Sequence, residues 1–81
     1  MPTALRVGPY RFYFYSHEPN EPPHVHVDRD KLSAKFWLIP VALAQNFGFS
    51  ANELGRVESI VTAHRDEILE AWNGHFGIES R

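Results

Sequence analysis

The chain has no cysteine, and that absence excludes several classes of protein. Without thiols there is no disulfide framework, no thiolate zinc site and no cysteine nucleophile, so any metal site must use nitrogen and oxygen ligands. The chain also lacks an apolar run long enough to span a bilayer. Its start, MPTALRVGPY, lacks the charged and apolar regions of a signal peptide, so we expect a cytoplasmic protein.

A strong charge of either sign is missing as well. Lysine and arginine together number 8, and aspartate and glutamate 10, which gives a net charge of −2 at pH 7. Domains that hold nucleic acid mainly through its phosphates are usually strongly basic, so this balance argues against such a function and leaves room only for a local basic patch. The 81 residues are 43% hydrophobic and include 6 Phe, 3 Tyr and 2 Trp, which suits one domain with one core.

Segments rich in aromatic and β-branched residues, bounded by Gly, Pro or short polar runs, predict four strands. We place these strands at residues 4–7, 10–16, 24–28 and 33–41. The Pro-rich segment HEPNEPP, residues 17–23, is predicted to be a stiff loop because proline lacks a backbone donor and fixes φ. Pro40 indicates an edge or the end of the fourth strand.

One long helix is predicted after the strands, over residues 51–72 and ending near Gly74. Ser50 and Glu53 have the spacing of a capping box, in which hydroxyl and carboxylate satisfy backbone donors at a helix start. A stripe at helical spacing is expected to pack on the sheet: Leu54, Val57, Ile60, Val61, His64, Ile68, Leu69 and Trp72. The acidic residues are interpreted as a solvated face: Glu53, Glu58, Asp66, Glu67 and Glu70. The predicted fold is therefore α+β, a four-stranded antiparallel meander followed by one long C-terminal helix packed on one face.

Side chains alternate across a strand, so each predicted strand divides into two sets. One set is apolar and suits packing against the helix: Phe12, Phe14, Val25, Val27, Ala34, Phe36 and Leu38. The other set forms what we call the ring-and-histidine face: Arg11, Tyr13, Tyr15, His24, His26, Lys35 and Trp37. The predicted helix covers only the apolar set, and an open face with several large rings is unusual for a monomer.

We therefore expect a binding partner on the ring-and-histidine face. Three occupants fit its composition: a second copy of the chain, which we favour, a partner protein, or nucleic acid whose bases stack on the rings beside Arg and Lys. The residues expected to make the contact are Arg11, Tyr13, Tyr15, Lys35 and Trp37.

His24 and His26 lie two residues apart on a predicted strand, so both imidazoles point to the same side and can share one cation. A zinc, nickel or iron site needs a third ligand, and three nearby side chains qualify: His17, Glu18 and Asp28. The pair can instead act as general acid and base, because imidazole titrates near neutrality. In a purely structural reading, both rings only hydrogen-bond or stack on neighbouring rings.

The other histidines carry weaker signals. His64 lies in the helical stripe and is interpreted as an imidazole at the edge of the core with a hydrogen-bond partner nearby. His75 lies in the predicted tail after the helix, where we expect it to be exposed to solvent. The sequence contains no phosphate-binding loop, nucleophile elbow or His-Glu-x-x-His zinc helix.

The chain resembles a family of short bacterial proteins known as domain of unknown function 4160. Four stretches carry the resemblance: YRFYFYSHEPNEPPHVHV (10–27), AKFWLIPVALAQNFGFS (34–50), EL (53–54) and ILEAWNGHFG (68–77). Its most distinctive mark is Pro-Pro-His-x-His-Val, which implies that His24 and His26 are family positions, with Tyr15 and Trp37 as neighbours. Genes of this family often lie beside another short reading frame, so the resemblance implies a setting like that of toxin–antitoxin pairs.

The first hypothesis is a small interaction module of a toxin–antitoxin-like two-gene system, whose ring-and-histidine face binds a partner protein or a second copy of the chain. The alternative is a metal-dependent or histidine-based nuclease or hydrolase that uses His24 and His26 with His17 or Asp28. In its metal-dependent form this enzyme would hold one divalent transition metal such as zinc.

Overall fold

The structure, a computed structural model, describes residues 3–15 and 21–76, and for residues 75 and 76 the backbone alone. Its strands are β1 (Thr3–Val7), β2 (Tyr10–Tyr13), β3 (His24–Arg29), β4 (Leu32–Leu38) and β5 (Val41–Phe47). They form one antiparallel sheet in the order β1-β2-β3-β4-β5, so each strand pairs with its neighbours in sequence. Two helices follow, α1 (Ala51–Ala63) and α2 (Arg65–Phe76). The predicted α+β class and antiparallel sheet are confirmed.

Short turns connect most of the strands. Gly8, with φ 57°, and Asp30, with φ 55°, occupy the left-handed region that the turns after β1 and β3 require. Glycine and aspartate reach that region more readily than β-branched residues do. A cis peptide bond joins Ile39 to Pro40 in the turn after β4. Pro40 therefore marks the end of that strand, which is one of the two positions predicted for it, the other being an edge. The predicted loop at 17–23 lies largely outside the described residues.

The prediction of four strands is wrong, because residues 41–47 form a fifth. Their sequence, VALAQNF, has few of the β-branched and aromatic residues that identify strands, so local propensity does not predict one. Pairing with β4 produces the strand, from Leu38 opposite Val41 to Ser33 opposite Phe47. The register shifts by one residue at Ala44, where a bulge lies.

The prediction of one long helix is also wrong, because the helical segment bends at His64. There φ is −110° and ψ is 17°, outside the helical range, yet the His64 amide still donates to the Ile60 carbonyl. Arg65 then donates from Nε to the carbonyl oxygen of Leu38 at 2.9 Å, which ties the start of α2 to the end of β4. Acidic residues in the first turn of α2, Asp66 and Glu67, favour a helix start there.

The core lies between the helices and one face of the sheet. The apolar set sorted from the strands is buried, as predicted, and packs against buried residues of both helices: Val57, Val61, Ile68 and Trp72. Most of the predicted helical stripe therefore reaches the core, although the bend divides the stripe between two helices. In the part of the chain that the structure describes, no helix has the length and apolarity needed to span a membrane.

Glu53 joins the sheet to α1 instead of lying on a solvated face. Its backbone amide donates to Ser50 Oγ at 3.2 Å, which confirms the helix cap, but its carboxylate points to the sheet. That carboxylate accepts two hydrogen bonds from the Arg29 guanidinium and one from Tyr10 Oη. The hydrogen bonds from Arg29, with that of Tyr10 in support, hold the pKa of the Glu53 carboxyl below its ordinary value.

Replacing Gly55 with alanine is expected to stabilise the protein by about 0.5–1 kcal/mol, because glycine inside a helix costs that much relative to alanine. A Cβ at this position meets nothing within 4 Å. The matched control is Gly8→Ala, which should destabilise because Gly8 has φ +57°. Urea unfolding monitored by circular dichroism measures both changes, and a lower midpoint for Gly55→Ala would contradict the helical assignment of α1.

The Arg29–Glu53 pair should make the free energy of unfolding depend on pH in the acidic range. Because the pKa of Glu53 is lowered in the folded state, its contribution is present above the ordinary carboxyl pKa and disappears as the pH falls through the lowered value. The gap in unfolding midpoint between the parent and Glu53→Gln should therefore be large at pH 6 and narrow towards pH 2. Glu58→Gln, at an exposed position of the same helix, is the matched control. A gap that does not change with pH would contradict the pairing.

Candidate functional site

The ring-and-histidine face lies on the side of the sheet opposite the helices, and a half-open pocket of about 350 Å³ is formed on it. Side chains from β2, β3, β4 and β5 contribute to the pocket. Its lining consists of Tyr13, Tyr15, Glu21, His26, Ser33, Ala34, Lys35, Gln45 and Phe47. Four of the residues predicted for this face line the pocket together, Tyr13, Tyr15, His26 and Lys35, and Trp37 contacts Lys35.

Tyr13 is the centre of the ring cluster. Its ring stacks on His26 with the centroids 5.4 Å apart and meets Tyr15 edge to face at 5.6 Å. The Arg11 guanidinium carbon lies 5.0 Å from the ring centroid, and Tyr13 Oη donates to Asp28 Oδ1 at 3.0 Å. Burial, with hydrogen bonding to Tyr15 and Asp28, raises the pKa of the Tyr13 phenol. Tyr13 is therefore a neutral donor that supports the face from beneath, not an exposed contact residue.

Lys35 covers the second aromatic group of the face. Its ammonium lies 4.7 Å from the centroid of the Trp37 ring, at a distance typical of a cation–π contact. The same ammonium is 2.6 Å from Glu21 Oε1, and its side chain is only 11% exposed. The positive charge of Lys35 is thus neutralised within the chain, and little of it faces solvent.

His24 lies on the predicted side of β3, with its ring in contact with those of His26 and Trp37, but it is buried and does not line the pocket. It is the first residue of β3, and its ring, which is 0% exposed, contacts Trp72 of α2 at a centroid distance of 4.9 Å. Its Nδ1 donates to the carbonyl oxygen of Pro22 at 3.0 Å. At this end of the sheet, Trp72 of α2 covers the start of β3. The alternation of side chains along the strand therefore does not by itself predict which of them are buried there.

His26 is the member of the histidine pair that faces the pocket. Its ring lies 5.4 Å from Tyr13 and 4.5 Å from Tyr15, between the two tyrosines. The rings of His24 and His26 are 5.1 Å apart and nearly perpendicular, so the pair is in contact, as the spacing predicts. The environments differ, however, because one ring is in the core and the other lines the pocket.

The predicted metal ligands are only partly described. His17 and Glu18 lie outside the described residues, and Asp28 accepts the hydrogen bond from Tyr13. Within residues 3–15 and 21–76, no group of three His, Asp or Glu side chains is placed to hold a metal ion. His64 hydrogen-bonds to Glu67 Oε1 at 3.2 Å, in line with its structural interpretation. His75 belongs to α2, and its side chain lies outside the described residues.

Five pocket residues were not predicted for this face: Glu21, Ser33, Ala34, Gln45 and Phe47. Gln45 and Phe47 were missed because β5 was not predicted. A proline between two apolar segments is a hairpin signal that points to such a strand, and alternation then places Gln45 and Phe47 beside Lys35 and Ser33. Glu21 carries no comparable signal, since it lies in a loop.

The exposed apolar surface lies elsewhere than expected. We expected Tyr13, Tyr15 and Trp37 to form the patch, but Tyr13 is buried and the other two are half-buried because the rings and cations of the face cover one another. The large apolar side chains that stand out in the described chain are Ile39, Leu43 and Phe47, of which Phe47 is 59% exposed and borders the pocket. The open apolar surface is therefore centred on β5.

Comparison with known proteins identifies one family. The model of the family described as "Domain of unknown function (DUF4160)" matches residues 10–73, a range that includes every strand but β1 and most of both helices. No curated protein and no solved structure matches the chain.

The raised pKa of Tyr13 should appear in an alkaline titration. The Tyr13 phenol should ionise at a higher pH than an ordinary tyrosine, and Tyr13→Phe should remove that late step. Because the folded-state pKa is raised, the contribution of Tyr13 to stability is present below the ordinary phenol pKa and is lost as the pH rises through the folded value. Ultraviolet absorbance measures ionisation, and Tyr10→Phe is the control that keeps the late step. A titration curve in which Tyr13→Phe removes an early step would contradict the assignment.

Proposed function

Since the chain belongs to the family described as Domain of unknown function (DUF4160), we propose that it is a small interaction module of a toxin–antitoxin-like two-gene system. Its ring-and-histidine face, extended by the β5 residues of the pocket, binds a partner protein. The resemblance to a family whose genes often occur in pairs supports the two-gene setting and points to the neighbouring gene as the source of the partner.

The observation that carries the proposal is the cluster of half-buried rings around an open pocket. Tyr15 and Trp37 are held by neighbouring side chains, and Phe47, which lines the same pocket as Tyr15, projects into solvent. Aromatic side chains pre-ordered in this way contribute strongly to protein interfaces, because they bury much area and lose little conformational entropy on binding. In the described part of the chain, both helices pack on the other side of the sheet.

The charges of the face favour a protein over nucleic acid. Lys35 is paired with Glu21, and Asp28 adds a second carboxylate close to Tyr13. Arg11 lies over the Tyr13 ring and donates from Nε to Thr3 Oγ1 at 2.9 Å. Phosphate binding needs cations that can exchange their counterions for phosphate, whereas these cations already have partners and two carboxylates stand among them.

A histidine-based hydrolase is the second candidate, and one observation favours it. His26 lines the pocket together with Lys35 and Tyr13, so an imidazole, an ammonium and a neutral phenol border one space. Such groups can transfer protons and stabilise a developing negative charge. This reading requires turnover of a substrate and not only a complex, and His26→Ala separates the two.

The test is co-expression with the product of the neighbouring gene, followed by a titration that measures the dissociation constant of the complex. Trp37→Ala and Tyr15→Ala should each weaken binding about tenfold or more, which corresponds to the loss of about 1.4 kcal/mol. Thr62→Ala, at an exposed position of α1 on the opposite side, is the matched control and should bind like the parent.

Urea unfolding of each variant separates lost binding from lost folding. Folded Trp37→Ala and Tyr15→Ala variants that bind like the parent would overturn the proposal, as would the absence of any complex. If His26→Ala keeps the complex but abolishes a hydrolytic activity of the parent, the second candidate replaces the first. If the face variants instead abolish self-association, the occupant of the face is a second copy of the chain.

A further inference from the structure

The outer edge of β5 has no strand beside it in the described chain. β5 pairs with β4 on one side, and it is the last strand in the sheet order. An edge strand presents unpaired amide and carbonyl groups that another strand can bind, so proteins usually protect such edges.

The usual protective devices are almost absent from β5. Its 7 residues, VALAQNF, include no charged residue and no proline. Two of its apolar side chains are exposed, Leu43 at 44% and Phe47 at 59%. The bulge at Ala44 opposes pairing, but it leaves a regular segment on each side.

The opposite edge of the sheet differs from β5. β1 carries Arg6, an exposed charged residue, whereas β5 carries none; a helix contacts each of the two strands, α2 at β1 and α1 at β5. An exposed charge is one of the ways in which proteins oppose pairing at an edge. Of the two edge strands in the described chain, β5 is therefore the one whose side chains oppose pairing less.

We infer that β5 pairs antiparallel with β5 of a second copy of the chain, around a two-fold axis perpendicular to the sheet. An uncharged strand can pair with itself without placing like charges opposite each other, whereas a charged partner strand would find no complementary charge on it. A two-fold interface uses the same patch on both subunits. Because a two-fold pair uses the β5 edge of both copies and the β1 edge carries a charge, the assembly closes at two copies and does not grow into a fibre.

The dimer would form one continuous sheet and cover the exposed side chains of β5. An axis perpendicular to the sheet keeps both ring-and-histidine faces on the same side, so the dimer presents two such faces to a partner. This inference goes beyond the proposed function and does not depend on it, because self-association is measured on the isolated chain. Loss of partner binding with an intact dimer would affect the proposed function alone.

Sedimentation equilibrium of the isolated chain over a wide concentration range tests the inference. The parent should reach twice the 9.3 kDa mass of one chain. Leu43→Lys should raise the dimer dissociation constant tenfold or more, because it places two cations at the shared edge and Leu43 is exposed enough to be replaced without loss of the fold. Thr62→Lys adds the same charge on an exposed position of α1 and should dimerise like the parent. A parent that stays monomeric, or a folded Leu43→Lys that dimerises like the parent, would overturn the inference.

Disulfide crosslinking tests the geometry, because the chain has no cysteine of its own. Single cysteines are introduced at alternate positions of β5: Val41, Leu43, Gln45 and Phe47. Residues near the axis of an antiparallel pair lie close to their own copies, so at least one of these variants should form a crosslinked dimer under mild oxidation. Ser59→Cys on α1 should not. If none of the β5 cysteines crosslinks more than Ser59→Cys, the two strands are not paired and the inference fails.

Discussion

The structure depends on one constraint: side chains alternate across a five-stranded meander, and the two described helices pack against only one of its faces. The apolar set meets Val57, Val61, Ile68 and Trp72 and forms the core. On the other face, which these helices do not cover, the side chains pack against one another. They do so in layers of rings and cations, with Tyr13 beneath His26 and Arg11, and Lys35 over Trp37. The result is an ordered aromatic surface with little net charge.

The histidine pair shows that two side chains on the same side of a strand can differ in burial. His24 and His26 point to the same side of β3, and their rings touch, yet only His26 lines the pocket. His24 is at the end of the strand, where Trp72 packs on it, and donates to the Pro22 carbonyl. The Pro-Pro-His-x-His-Val motif therefore combines a buried imidazole with one that lines the pocket.

Local sequence patterns correctly predicted those features of the fold that depend on residues close together in the chain. Four strands, the division of their faces and the Ser50 cap follow from aromatic runs, alternation and a capping residue, all of which act within a few residues. β5 was missed because pairing with β4 overrides its weak propensity. The bend at His64 adjoins a hydrogen bond from Arg65 to Leu38, 27 positions away, which no local pattern reveals. The same holds for the site, since Gln45 and Phe47 reach the pocket only through β5.

The proposed roles divide the sheet between two surfaces, a face for a partner protein and an edge for a second copy of the chain. The central claim is that the ring-and-histidine face is open in the chain alone and closes when the partner binds. Hydroxyl-radical footprinting of the two tryptophans tests it most directly, with buried Trp72 as the internal reference. Oxidation of Trp37 should greatly exceed that of Trp72 in the isolated protein and fall towards it in the complex. A Trp37 as protected as Trp72 without a partner, or equally reactive with and without one, would contradict the account.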